Sequence, residues 1–190
     1  MLKKIILASA SPRRSELLST LGVEFETYNS DIDESLLEGE GAVVHTRRLA
    51  REKARKAAEH FTDGHFLIIG ADTTVVVGSE LLGKPRDGAD AARMLRLLSK
   101  KTHSVVTAFS ILDTATGKEI TEDVETRVSV KDLTEEEISD YIATGEPTDK
   151  AGSYAIQGKG KFIAIKTVGS YSNVVGLPTE ELTAALKKIL

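Results

Sequence analysis

The chain has 190 residues, 25 Lys and Arg against 29 Asp and Glu, a net charge of −4, 41% hydrophobic and 5% aromatic residues, and neither Cys nor Trp. That length and hydrophobic content suit one domain, or one domain of two lobes, around a real core, and the lack of Cys rules out disulfides, thiolate metal sites and a Cys nucleophile. The acidic balance and few aromatics argue against a nucleic-acid partner, which calls for a basic face or a stacking platform, so basic residues that gather locally point to a small polyanion.

The N-terminus reads MLKKIILASASPRR. Its apolar run is too short for a signal-peptide core, and Arg13 and Arg14 follow at once. Ile5–Ala8 therefore reads as a buried strand. No stretch approaches a membrane span, and the cytoplasm is the expected location. Ser11-Pro12 starts a helix, with Ser as N-cap and Pro at the first helical position. Leu17, Leu18 and Leu21 mark its buried face and Gly22 its end. A helix over His45–Phe61 carries Leu49, Ala50, Ala54, Ala57, Ala58 and Phe61 as an apolar stripe. Lys53 falls inside that stripe and Arg47 near its edge, while Arg48, Arg51, Arg55 and Lys56 face outward.

Leu67–Gly70 and Thr74–Val77 are strand-like, as are His103–Leu112 and Val124–Val130, the last with alternating apolar positions. Thr134 and Glu137 form a capping box for the helix carrying Ile138, Tyr141 and Ile142. Gly145 ends it and Pro147 prevents its return. A last helix runs from about Pro178 to Leu190. The mixture predicts an α/β fold, a long twisted mixed sheet with flanking helices, whose strand order is not legible.

Six segments carry candidate chemistry. Ser9-Ala10-Ser11-Pro12-Arg13-Arg14 joins strand to helix, where open N–H groups and the helix dipole favour phosphate and arginines add forked hydrogen bonds. The plainer alternative is an N-cap with a solvated Arg pair. Asp72, in the middle of FLIIGADTTVVV, is a carboxylate in a poor place for one. It either sits in a turn between strands or binds a cation or takes a proton from water. Lys53 either snorkels from the core edge or reaches an anionic ligand. Lys84, in Gly83-Lys84-Pro85, is a point charge for a phosphate or a solvated turn residue. Asp31-Ile32-Asp33-Glu34 offers oxygen ligands for Mg²⁺ or Mn²⁺, or is a solvated acidic loop. In Asp149–Gly158 the amide of Gln157 supplies both a donor and an acceptor, as reading a pyrimidine edge requires. Gly169–Pro178 reads as a polar loop before the final helix. No P-loop, GxGxxG, GxSxG or HExxH pattern is present.

Taken in order, LASASPRR, LAREKA at Leu49–Ala54, GADT at Gly70–Thr73, GKP at Gly83–Pro85, DKAGSYAIQG and NVVGLP resemble the Maf family of nucleotide pyrophosphatases over essentially the whole chain. The resemblance implies a single domain, residues 1–190, of two lobes around a central cleft, similar to the inosine-triphosphate pyrophosphatases. It implies hydrolysis of a nucleoside triphosphate to the monophosphate and pyrophosphate with Mg²⁺ or Mn²⁺. By the same resemblance Asp72 is the catalytic carboxylate, Ser9, Arg13, Arg14, Lys53 and Lys84 serve the phosphates, and Glu34 and Asp72 hold the metal. Arg13, Thr73 and Gln157 match the branch acting on dTTP and UTP. A homodimer is left open, and neither nucleic acid nor membrane is an expected partner. The alternative is a non-catalytic nucleotide-binding regulator of division or stress. The one departure from the family pattern is a Lys, not a Gly, after Ser99.

Overall fold

A computed structural model describes residues 3–189; Leu190, the expected end of the last helix, lies outside them. The elements in chain order are β1 (Lys4–Ala8), α1 (Pro12–Ser19), β2 (Phe25–Thr27), α2 (Ala42–Ala58), β3 (Phe66–Val77), β4 (Glu80–Leu82), α3 (Gly88–Leu98), β5 (Thr102–Asp113), β6 (Glu119–Val130), α4 (Glu135–Ala143), β7 (Ala164–Val168), α5 (Tyr171–Val175) and α6 (Thr179–Ile189). They form the α/β arrangement predicted. The strands follow the order β2-β1-β3-β5-β6-β7, with β4 on β3. The sheet is mixed: β1 pairs in parallel with β2 and β3, whereas β3–β4 and β6–β7 are antiparallel.

The chain divides into two compact units. The first holds the residues up to Asp72, Thr107–Val124 and those from Gly176 on; the second holds Thr73–Val106 and Glu125–Val175. In the first, β1 is apolar on both faces because helices cover both. Ile5 and Leu7 pack with Leu67, Ile69, Leu18 of α1 and Leu182 of α6. Ile6 and Ala8 pack with Ile68 and with Ala54 and Ala57 of α2. In the second unit, Val75, Met94 and Leu95 of α3, Val105, Val128, and Ile138 and Tyr141 of α4 share a core with Tyr154 and Ile156. Buried His103 meets Tyr154 there, Nε2 to Oη at 2.7 Å, and burial pushes its pKa down to about 4.

Several expectations shift. β3 is one strand through Gly70-Ala71-Asp72-Thr73, not two with a turn between them. The reason is packing: α2 lies so close to Gly70 that a Cβ there would meet Ala50 O at 2.1 Å and Ala54 N at 2.7 Å. Gly70 admits the helix without leaving the ladder, where it pairs with Ala8. The α2 helix spans Ala42–Ala58 rather than His45–Phe61, because Phe61 leaves the helix to join Tyr28 and Phe66, ring centroids 5.5 and 5.3 Å away. Ser11 occupies the N-cap of α1, but its side chain makes no capping bond. The helix α3 was not anticipated; Asp87 caps it, accepting from Asp90 N. The segment before α6 holds the short helix α5 with buried Asn173. The capping box at Thr134 and Glu137 is as expected. Lys100, at the position where a Gly was expected, has φ +60, the left-handed conformation that favours Gly.

Filling Gly70 must push α2 off the sheet, since neither backbone atom can rotate away. Overpacking costs ~1–3 kcal/mol, and this contact belongs at the upper end. Gly70→Ala should lower the thermal midpoint by about 5–10 °C, read by calorimetry. Gly88→Ala, whose Cβ would meet Ile142 at an ordinary 3.6 Å, should leave it in place.

Candidate functional site

The first unit assembles its candidate residues at the carboxyl ends of parallel strands, where ligands of such sheets bind. Ser9 follows β1 directly, and the segment after β2 leads to Glu34. Asp72 lies two residues beyond Gly70, the partner of Ala8. The Ser9 hydroxyl accepts from Ser11 N at 3.2 Å and from Arg14 Nη1 at 3.3 Å. It therefore pins the strand-to-helix turn and aims Arg14, whose Nε donates to Gly176 O at 2.9 Å. Gly176 has φ +124, so Gly is required where that carbonyl is presented.

Lys53 is buried and ionic. Its Nζ lies 2.7 Å from Asp72 Oδ1 and 2.7 Å from Glu34 Oε1, with only 7% of Lys53 and 7% of Asp72 exposed. That excludes the snorkelling alternative, because the ammonium points inward to two carboxylates. The Arg14 pKa is held below its ordinary value, first by burial; the charges of Asp72 and Glu34 oppose that shift and the charge of Arg13 adds to it. The two acids and three bases thus act on one another across one small region. Their formal sum is one positive charge, which suits an incoming polyanion and still leaves carboxylates where a cation or a proton could go.

The acidic segment contributes less than its composition suggests. Asp33 accepts from Ser35 N and Oγ in a local turn, so Glu34 is the member that turns to Lys53. Among the described residues no group of three or more His, Asp or Glu could hold a metal. Glu34 and Asp72 meet on the Lys53 ammonium, and as a pair of carboxylates they could serve Mg²⁺ or Mn²⁺, ions that keep several waters and take one or two carboxylates.

Residues that the sequence reading passed over hold this segment. Arg48, expected on the solvated face, donates to Glu40 through Nε (2.6 Å) and Nη2 (2.9 Å) and to Ser35 O (2.9 Å). The Arg48 hydrogen bond brings the Glu40 pKa down to about 2. Ser30 Oγ donates to Lys53 O at 3.0 Å. None of these carried a local signal, because each partner lies outside the motif that it serves. Arg47, near the stripe's edge, pairs with Asp123 at 2.6 Å.

The second unit holds Thr73, Lys84 and Gln157. Lys84 lies in the exposed loop between β4 and α3. Gly83 O accepts from Gly152 N at 3.0 Å, and Gly152, at φ +69, packs against Val75 with room for no larger residue. The two loops that carry Lys84 and Gln157 are thereby joined. Gln157 is the N-cap residue of a 3₁₀ turn over Gly158–Phe162.

Residues 4–189 match the family model of Maf, Maf-like protein. The chain belongs to the Maf family. It is 55% identical over 185 residues to the dTTP/UTP pyrophosphatase of Geotalea uraniireducens, covering 97% of this chain and 94% of that one. It is 52% identical to the dTTP/UTP pyrophosphatase of Geobacter sp. strain M21, covering 97% and 95%. A solved nucleoside-triphosphatase, dITP/XTP pyrophosphatase, from Mycobacterium abscessus is similar with a TM-score of 0.46 and 17% identity, covering 98% of this chain and 97% of that one. For this Maf chain, no helix among the described residues is long and apolar enough to cross a membrane.

The Lys53–Asp72 pair can be tested on stability alone. Lys53→Met leaves two acids facing each other and should cost about 3 kcal/mol, the scale for a broken buried ion pair. Asp72→Asn should cost less, because Lys53 keeps Glu34. The double variant should be more stable than the sum of the singles predicts, by ~1–3 kcal/mol, in urea unfolding. Strict additivity would show that the two side chains do not interact.

Proposed function

We propose that the protein hydrolyses dTTP and UTP, and modified pyrimidine nucleotides of the same form, to the monophosphate and pyrophosphate, in the cytoplasm where these nucleotides circulate. The observation that carries this reading is the convergence of Glu34 and Asp72 on Lys53 beside Arg13 and Arg14, in a chain 55% identical to a protein named dTTP/UTP pyrophosphatase. Binding alone would not require carboxylates among phosphate-binding cations, and this favours catalysis over a purely regulatory role.

In this reading Arg13, Arg14, Lys53, Lys84 and the turn pinned by Ser9 hold and neutralise the triphosphate. Glu34 and Asp72 would hold a divalent cation, Mg²⁺ or Mn²⁺, which when bound supplies further positive charge at the phosphates. Water attacks the α phosphorus, the bond from that phosphorus to the α–β bridging oxygen breaks, and pyrophosphate leaves with that oxygen. Asp72 takes the proton of the attacking water, and Lys53 Nζ on Oδ1 keeps its side chain oriented. Little covalent work falls to the protein; orientation and charge stabilisation carry the rate. Thr73 and Gln157, with Arg13, select the base. The Gln157 amide can meet both the O4 acceptor and the N3–H donor of uracil or thymine, whereas cytosine presents a donor in place of O4.

A triphosphate panel with Mg²⁺ or Mn²⁺ tests the reading. Release of pyrophosphate and monophosphate should be fastest from dTTP and UTP and should stop in EDTA. Asp72→Asn should lower kcat ~10²-fold or more, the scale for a lost general base, with nucleotide binding largely retained. Orthophosphate as the sole phosphate product would overturn the reaction type, and near-normal turnover in Asp72→Asn would remove Asp72 from it.

A further inference from the structure

The loop that carries Gln157 is held by a carboxylate outside every motif noted in the sequence. Glu146 opens the short 3₁₀ turn after α4. Its Oε1 accepts from Tyr141 Oη at 3.0 Å and from Gly160 N at 3.1 Å, and its Oε2 accepts from Lys159 N at 2.9 Å. Tyr141 Oη in turn accepts from Ala155 N at 3.2 Å. One carboxylate and one phenol thus bind the backbone on both sides of Gln157, at Ala155 before it and at Lys159 and Gly160 after it. Lys150 Nζ anchors the same residue from below, donating to Glu146 O at 2.7 Å.

The glycines of this loop fit the clamp. Gly158 has φ +61, and a Cβ there would come within 2.9 Å of Glu146 Oε2. A Cβ on Gly160 would come within 2.6 Å of both Ala155 O and Tyr141 Oη. Successive backbone N–H groups in such a turn form an anion-binding concavity, and here the chain's own carboxylate fills it. Burial alone would raise the Glu146 pKa, but the bonds from Lys159 N and Gly160 N outweigh it and hold the group below the usual carboxylate range. The clamp is therefore ionised at any neutral pH. On the other side, Tyr154 is fixed to His103, so the segment from Tyr154 to Gly160 is tied at both ends.

An amide that reads a base edge must stand within about 0.5 Å of the right place, and only supporting residues can hold it there. We propose that Glu146 is a positioning residue for base selection: its carboxylate sets where the Gln157 amide stands. The inference rests on the reading that Gln157 meets the base.

The test is kcat/KM for UTP, CTP and GTP in the wild type, Glu146→Ala, Tyr141→Phe and Gln157→Glu. Glu146→Ala should raise KM for UTP ~10-fold with little change in kcat, and cut the UTP-over-GTP preference by a similar factor, the tenfold that accompanies a loss of about 1.4 kcal/mol. Tyr141→Phe, which leaves Glu146 its two backbone donors, should fall between Glu146→Ala and the wild type. It decides the matter if Glu146→Ala does not fold. A lowered thermal midpoint with unchanged nucleotide ratios, or an equal loss for all three nucleotides, would overturn the proposal. If Gln157→Glu alone collapses the ratios, the base reading stands and the positioning role of Glu146 falls. If the ratios survive in every variant, the base reading falls and takes the proposal with it.

Discussion

The first unit depends on how near α2 comes to β3. Helix backbone reaches strand backbone at Gly70, where a single added carbon would lie 2.1 Å from Ala50 O. Ala54 and Ala57 on the same helix face are small for the same reason. At that separation a lysine one position before Ala54 has the length to cross to the strand, and Lys53 Nζ ends on Asp72 two residues past the glycine. A larger residue at 70 would lift the helix and leave the carboxylate without its cation. One contact sets the packing and the ion pair together, which is why Gly70, Lys53 and Asp72 work as a unit although Lys53 lies in a different motif from the other two.

Around that contact the charges are arranged so that none is buried alone. Lys53 answers Asp72 and Glu34; Arg14 is drawn toward both acids while its Nε rests on Gly176 O. A buried carboxylate costs several kcal/mol unless it is paired and hydrogen-bonded, and these pairs offset that cost. Within the same unit Arg48 on Glu40 fixes the segment that holds Glu34; in the second unit, taken by itself, Glu146 fixes the loop that holds Gln157.

Local chemistry made some of this legible in the sequence. Pro12 after Ser11 gave the start of α1, Thr134 and Glu137 gave that of α4, and the 3.6-residue stripe singled out Lys53 as a lysine on the wrong face. Asp72 stood out because an acid amid FLIIGADTTVVV is disfavoured within a strand. The misses have equally local causes. Gly70, Ala71 and Asp72 are poor strand formers, so the run was split in two; packing of α2 overrode propensity. The start of α2 is capped by Gly41 without a side-chain bond, so no local signal marks Ala42 as its first residue. Lys100 takes a left-handed conformation that its side chain does not advertise. Glu40 and Glu146 act across loops on partners eight or more residues away, a distance at which a single sequence carries no periodicity to read.

The most direct measurement concerns where water's oxygen goes. Turnover of UTP in ¹⁸O-labelled water, followed by mass spectrometry of the products, reports which phosphorus is attacked. With Asp72 directing water to the α phosphorus, one ¹⁸O enters the monophosphate and the pyrophosphate stays unlabelled. Label in the pyrophosphate would mean attack on the β phosphorus and would contradict the assignment of Asp72 and its neighbours.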